Sequence, residues 1–157
     1  MEENEIIELA VKEASRTSSE GLGGPFGAAV VTQDGRIFTA SNTVLGSHDP
    51  TAHAEVNVIR KACAELGTHD LSGSILYTTC YPCPMCLGAI IWANIKEVHY
   101  GASPQDAASI GFRDDYIYDY IKGNCTDMQV LDLSQISDPE ACKKMFTDYA
   151  AAGHTMY

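Results

Sequence analysis

The feature that most limits what this chain can become is the run TTCYPCPMCLGA at residues 78–89, where Cys80, Cys83 and Cys86 recur at intervals of three. That spacing serves a disulfide framework, an iron–sulfur cluster, a redox dithiol or a zinc site. A ferredoxin run needs C-x2-C-x2-C-x3-C-P, and here the fourth cysteine place is held by Ile90. A disulfide framework suits a short secreted chain. This chain has 157 residues, enough for one domain with a core of its own. Its first residues, MEENEIIELA, are acidic and lack the basic and apolar stretches of a signal peptide. A cytoplasmic, reducing setting is therefore expected, with the six cysteines unpaired. A redox dithiol would need only Cys83 and Cys86.

The decision between dithiol and zinc rests on a second stretch, TAHAEV, which places His53 and Glu55 two residues apart. Cys83 and Cys86 are three apart across a predicted helix start, so both sulfurs face one side of the first turn. Pro84 fits the first helical position, where its missing N–H costs nothing. The positive end of the helix favours the thiolates that zinc requires. His53, from the start of another predicted helix, adds a third ligand. Three protein ligands leave the fourth tetrahedral position open, as in a catalytic site. Glu55 would aim its carboxylate at a water in that position. Cys80 as a fourth ligand would close the site and make it structural; as a small residue ending a buried strand it fits the core. Cys63, Cys125 and Cys142 read as core or incidental residues.

Charge narrows the substrate. Ten basic residues against twenty-one acidic ones give −11, and the longest basic cluster is the pair at 143–144. Nucleic-acid binders displace phosphate counterions with Lys and Arg, so a polyanionic partner is disfavoured and a small neutral substrate is not. No apolar run approaches the roughly 18 residues of a membrane-spanning helix, and no membrane partner is expected.

Periodicity gives an outline. Residues 4–20 carry Ile6, Ile7, Ala10, Val11 and Ala14 on one helical stripe. AAVV and RIFTA flank TQDG, a hairpin signal. DPTAHAEVNVIRKACAELG reads as a helix with Val56, Ile59, Cys63 and Leu66 inward and Gly67 at its end. SILYTT, KEVHYG and DMQVLDL read as strands, PMCLGAIIWA and SDPEACKKMFTDYAAAG as helices. The expectation is an α/β fold with three layers, α-β-α, around a mixed five-stranded sheet, in a single domain over 1–157. Residues 102–126 lack a clear period and form a candidate functional loop.

His53-Ala54-Glu55 followed by Pro82-Cys83-Pro84-Met85-Cys86 is the known H-x-E…P-C-x-x-C signature of zinc nucleobase deaminases, and the chain resembles the cytidine deaminase-like superfamily. Within it, GGPFGAAVV, NTV, HDPTAHAEVNVIRKAC, LYTTCYPCPMCLGAIIWA, DAASIGFRDDYIY and a terminal tyrosine are similar to the bacterial guanine deaminases. GFRDD with Tyr157 carries the guanine assignment, because GGPFGAAVV and HDPTAHAEVNVIRKAC are shared widely with tRNA-adenosine deaminases.

The resemblance implies hydrolytic deamination of guanine to xanthine and ammonia in purine salvage, with Zn2+ (one per chain) as cofactor and a homodimer as partner state. It implies His53, Cys83 and Cys86 as metal ligands, and Glu55 and Asp114 as catalytic residues. Phe26, Asn42, Ala54, Trp92, Asp114 and Tyr157 would bind substrate. It further implies exchange of the C-terminal segment, about 138–157, between subunits. Read without the resemblance, Phe26 and Trp92 fit a core, Asn42 a turn, Asp114 a solvated loop and Tyr157 a frayed end. Deaminases of guanosine, of ammeline or of tRNA adenosine, and a non-catalytic zinc protein, are the competing readings.

Overall fold

The computed structural model describes residues 1–157. The chain divides into two compact units, Met1–Asp115 and Tyr116–Tyr157. The division follows from the sheet, to which residues beyond 102 contribute no strand.

In the first unit, α1 (Glu3–Ser19) buries Ile6, Ala10, Ala14 and Thr17, one residue per turn. Val11 was expected on that stripe but is 46% exposed, since it lies about 100° round the helix from Ala10. β1 (Gly27–Val31) and β2 (Ile37–Ser41) pair antiparallel through the predicted Asp-Gly turn. Gly35 there takes a φ of +84°, and the Thr32 N–H donates to the Arg36 carbonyl at 2.9 Å. β3 (Ile75–Cys80) pairs antiparallel with β1, and β4 (Glu97–Ala102) runs parallel to β3. The crossover between them is α4 (Pro84–Trp92).

The sheet is therefore mixed, in the order β2-β1-β3-β4, with four strands rather than five. The expected fifth strand, residues 127–133, is a turn followed by irregular chain. The Asp127 carbonyl accepts from the N–H groups of Val130 and Leu131 at 3.1 and 3.2 Å, and its Oδ1 accepts from the Gln129 N–H at 3.0 Å. Those bonds occupy backbone groups that a ladder would need.

Strand alternation sorts the first unit into layers. Ala28, Val30 and Leu76 face α3 (Ala54–Leu66) and α4, with Val58, Ala62 and Ile90 completing that core. Ala29 and Tyr77 face α1, against Ile6. Helices thus cover both faces of the sheet, as expected. The inward face of α3 is rotated from the expected stripe: Ala54, Glu55, Val56, Val58 and Ala62 are buried, while Ile59, Cys63 and Leu66 are half-buried at its edge. α3 also begins at Ala54 rather than near Asp49, because Asp49 forms a turn in which its Oδ1 accepts from the Thr51 N–H at 2.8 Å. A short helix, α2 (Val44–Ser47), precedes it. After β4, α5 (Pro104–Ala108) and α6 (Asp115–Lys122) occupy the stretch that lacked a sequence period.

The second unit ends in α7 (Glu140–Ala152), stopped by Gly153 at φ +73°. The Tyr149 hydroxyl donates to the Thr155 carbonyl at 2.5 Å, tying the last residues to the helix. No helix of the protein is long and apolar enough to cross a membrane.

Candidate active site

Two helix starts and one strand build the site. His53 is the N-cap of α3, and Cys83 is the N-cap of α4, with Pro84 in the first turn as its fixed φ favours. Cys86 follows on the same turn and is fully buried. The ligand atoms of His53, Cys83 and Cys86 lie within 4.8 Å of one another. Each sulfur is 3.6 Å from His53 Nδ1. Nitrogen at about 2.05 Å and sulfur at about 2.3 Å from a tetrahedral zinc would stand about 3.6 Å apart. The donor set therefore fits zinc in both type and spacing.

The electrostatics agree with a metal site. The Cys83 thiol is drawn down to about 4, first by the hydrogen bond from Cys86 and then by His53, against the opposing effect of burial. Cys86 is pushed up, first by the adjoining Cys83 and then by burial. The hydrogen bond to Cys83 raises His53 despite burial. Both cysteines ionise when they serve as ligands. All six cysteines are free, and the buried Cys80 thiol donates to the Ser103 carbonyl at 3.7 Å, outside the cluster.

Glu55, on the first turn of α3, is 6% exposed. Thr78 Oγ1 donates to its Oε1 at 2.8 Å, and Cys86 Sγ donates to its Oε2 at 3.4 Å. Burial pushes the carboxyl up, while these two bonds oppose that shift. Thr78 escaped the sequence reading. The signal for it was a threonine on the inward face of a buried strand, where a polar group needs a partner.

Asn42 is buried, and its backbone N–H donates to the Phe26 carbonyl at 2.9 Å. Its Oδ1 accepts from the N–H groups of Gly24 and Val44 at 3.3 and 3.1 Å. Since both partners can only donate, the oxygen is fixed and the Nδ2 hydrogens are kept for other acceptors. Gly23 must be a glycine here, because a Cβ would overlap the Asn42 carbonyl and Oδ1. Phe26 is half-buried and meets Phe112 edge-on, ring centroids 5.0 Å apart. Phe112 is a neighbour that sequence reasoning did not single out.

Ala54 is fully buried between His53 and Glu55. Asp114 is close enough to raise His53 and to be raised in turn by the Cys83 thiolate, with burial the larger cause. The adjacent Arg113 pairs with Asp115 at 2.7 Å instead. Trp92 is 68% exposed at the far end of α4, roughly 9 Å along the helix from Cys86. Tyr157 ends the second unit.

The family described as cytidine and deoxycytidylate deaminase zinc-binding region matches residues 1–102. The chain belongs to that family. The zinc-binding deaminases supply relatives along most of its length. A guanine deaminase of Bacillus subtilis (strain 168) is 51% identical over 118 residues, 75% of this chain and 76% of that protein. The X-ray structure of guanine deaminase from Bacillus subtilis superposes with a TM-score of 0.89 at 42% identity, covering 100% of this chain and 99% of that one. A tRNA-specific adenosine deaminase of Agrobacterium fabrum (strain C58 / ATCC 33970) is 42% identical over 110 residues, 69% of this chain and 71% of that protein. This deaminase belongs to a zinc-binding family, and His53, Cys83 and Cys86 form a group that could hold the metal.

Proposed function

We propose that the chain is a zinc-dependent guanine deaminase, converting guanine and water to xanthine and ammonia. The observation that carries this reading is the extent of the likeness to the Bacillus subtilis guanine deaminase. It runs over the whole chain, including the residues beyond 102 that hold Asp114 and Tyr157.

Zinc held by His53, Cys83 and Cys86 would supply Lewis-acid activation, lowering the pKa of a water to about 7. The protein's own groups do the rest. As a ligand, Cys86 is a thiolate with no proton to donate, so Glu55 Oε2 becomes the oxygen that exchanges protons while Oε1 stays tied to Thr78. Glu55 takes one water proton and passes it to a ring nitrogen as the hydroxyl adds to the ring carbon. It then moves the remaining hydroxyl proton to the amine, which leaves as ammonia as the new C=O forms. The buried setting that raises its pKa suits a group that must both accept and donate near neutral pH. Asn42 presents Nδ2 hydrogens to an acceptor on the base, and Asp114 accepts from the ring N–H or amino group. Phe26 walls the base and Ala54 backs it between His53 and Glu55, whereas Trp92, exposed at the far end of α4, does not line it within this chain.

The reading includes a cytoplasmic homodimer in which the segment about 138–157 is exchanged, so that Tyr157 closes the site of the other copy.

The test is ammonia release from purified, zinc-loaded protein given guanine, guanosine, ammeline, adenine and cytosine in parallel. Guanine is expected to be preferred by about 10²-fold or more, since groups built to hydrogen-bond one ring edge reject analogues lacking it. Faster turnover of guanosine or ammeline would overturn the substrate assignment and leave the zinc chemistry standing.

A further inference from the structure

We infer that Asn57 is a positioning residue that sets the base-binding Asn42 relative to the zinc ligand His53; this rests on the reading of Asn42 proposed above. Asn57 lies in the first turns of α3, where its backbone N–H donates to the His53 carbonyl at 2.9 Å. Its side-chain Nδ2 reaches three acceptors: the Ser41 carbonyl at 2.8 Å, Thr43 Oγ1 at 3.0 Å and the Ala52 carbonyl at 3.2 Å. Ser41 and Thr43 bracket Asn42, and Ala52 precedes His53. One half-buried amide thus holds the chain on both sides of the base-binding residue and immediately before the metal ligand.

The orientation of that amide is fixed by chemistry. The Ser41 and Ala52 carbonyls can only accept, so the NH2 group must face them. Two hydrogens serve three acceptors, and one of them is shared. The two segments are also joined directly, the Thr43 N–H donating to the Ala52 carbonyl at 3.0 Å. Loss of Asn57 should therefore let the Asn42 strand end shift against α3 without unfolding either. Helix propensity does not call for asparagine here, because alanine or leucine would serve a helix interior better. What the asparagine adds is the tie.

The experiment crosses Asn57→Ala with Asn42→Ala and reads guanine kinetics, bound zinc and melting temperature. Asn57→Ala is expected to raise KM about tenfold, the loss typical of one or two neutral hydrogen bonds, with kcat and zinc content nearly unchanged. In the Asn42→Ala background the same change should add less than about twofold, because both act through one contact. Asn57→Ser retains one donor hydrogen; it should give an intermediate KM and takes the place of Asn57→Ala if that variant does not fold. A lowered melting temperature or lost zinc with unchanged KM would make Asn57 merely structural and overturn the inference, as would effects that multiply in the double variant. A silent Asn42→Ala would overturn the reading of Asn42 and the inference with it. A damaging Asn42→Ala beside a silent Asn57→Ala would overturn the inference alone.

Discussion

The starts of α3 and α4 can be set beside the start of α5. His53 and Cys83 take nearly the same extended N-cap backbone, φ −69°, ψ 156° and φ −68°, ψ 168°, and neither side chain caps its helix. Ser103 takes φ −82°, ψ 164° and does cap, accepting from the Asp106 N–H at 3.2 Å while Asp106 Oδ2 accepts from the Ser103 N–H at 2.8 Å. The same backbone therefore serves two ends. At α5 the cap residue satisfies orphan N–H groups. At α3 and α4 it turns to a metal, and the positive helix end that a cap would satisfy favours the Cys83 thiolate instead. The site was placed where the backbone was already suitable, at the cost of two caps.

The sharpest way to break this comparison is Cys83→Ser, which restores a good cap and removes a good zinc ligand. Loss of bound zinc and of all deaminase activity is expected. The metal-free variant should nevertheless melt no lower than the metal-free parent in chelator. A lower melting temperature would mean that the cysteine was acting as a cap after all. Glu55→Gln comes next, on the first turn of α3 but not a ligand. Turnover should fall about 10²–10⁴-fold, the usual contribution of a positioned acid–base group, with zinc retained. Equal loss of zinc and turnover would show that Glu55 builds the site rather than works in it.

The comparison also explains what the sequence makes legible. Zinc restricts both residue type and spacing, so His53, Cys83 and Cys86 stand out, and Pro84, Gly67 and Gly153 mark helix ends by their own backbone limits. β1 and β3 are visible as buried apolar runs, while β2 and the largely exposed β4 are read from their β-branched and aromatic residues between turn signals. Residues 127–133 have a strand's composition, but the bonds of Asp127 turn the chain, and composition does not report them. The partners of the site are harder still. Thr78 meets Glu55 across 23 residues of sequence and Asn57 meets Ser41 across 16, so their roles exist only once the sheet and α3 are packed together. Phe112 is likewise read only from its contact with Phe26.

Thr78→Val tests that packed layer. Valine keeps the shape and removes the donor to Glu55 Oε1. A fall in kcat of about tenfold is expected, in line with one lost hydrogen bond to a charged group. KM and zinc should hold steady, and Thr78→Ser should recover most of the rate. A valine variant as fast as the parent would show that burial alone holds the carboxylate.

The smallest effect belongs to the ordinary cap. Ser103→Ala should lower stability by about 1 kcal/mol, the usual loss at such a position, and leave zinc and guanine turnover as they were. Its pH dependence gives a second check. The Ser103 backbone N–H, then its hydroxyl, hold the Asp106 carboxyl below its ordinary 3.8. A carboxyl depressed in the folded state adds stability that is complete above that ordinary value and is lost as the pH falls below it. Substituting Ser103 removes the hydroxyl share of that depression, so parent and variant should differ most near neutral pH and converge on acidification, as followed by melting temperature. A gap that persists into acid would mean that the serine hydroxyl caps α5 without help from Asp106. A gap that also moved turnover would mean that α5 is no ordinary helix start, and the contrast with α3 and α4 would fail.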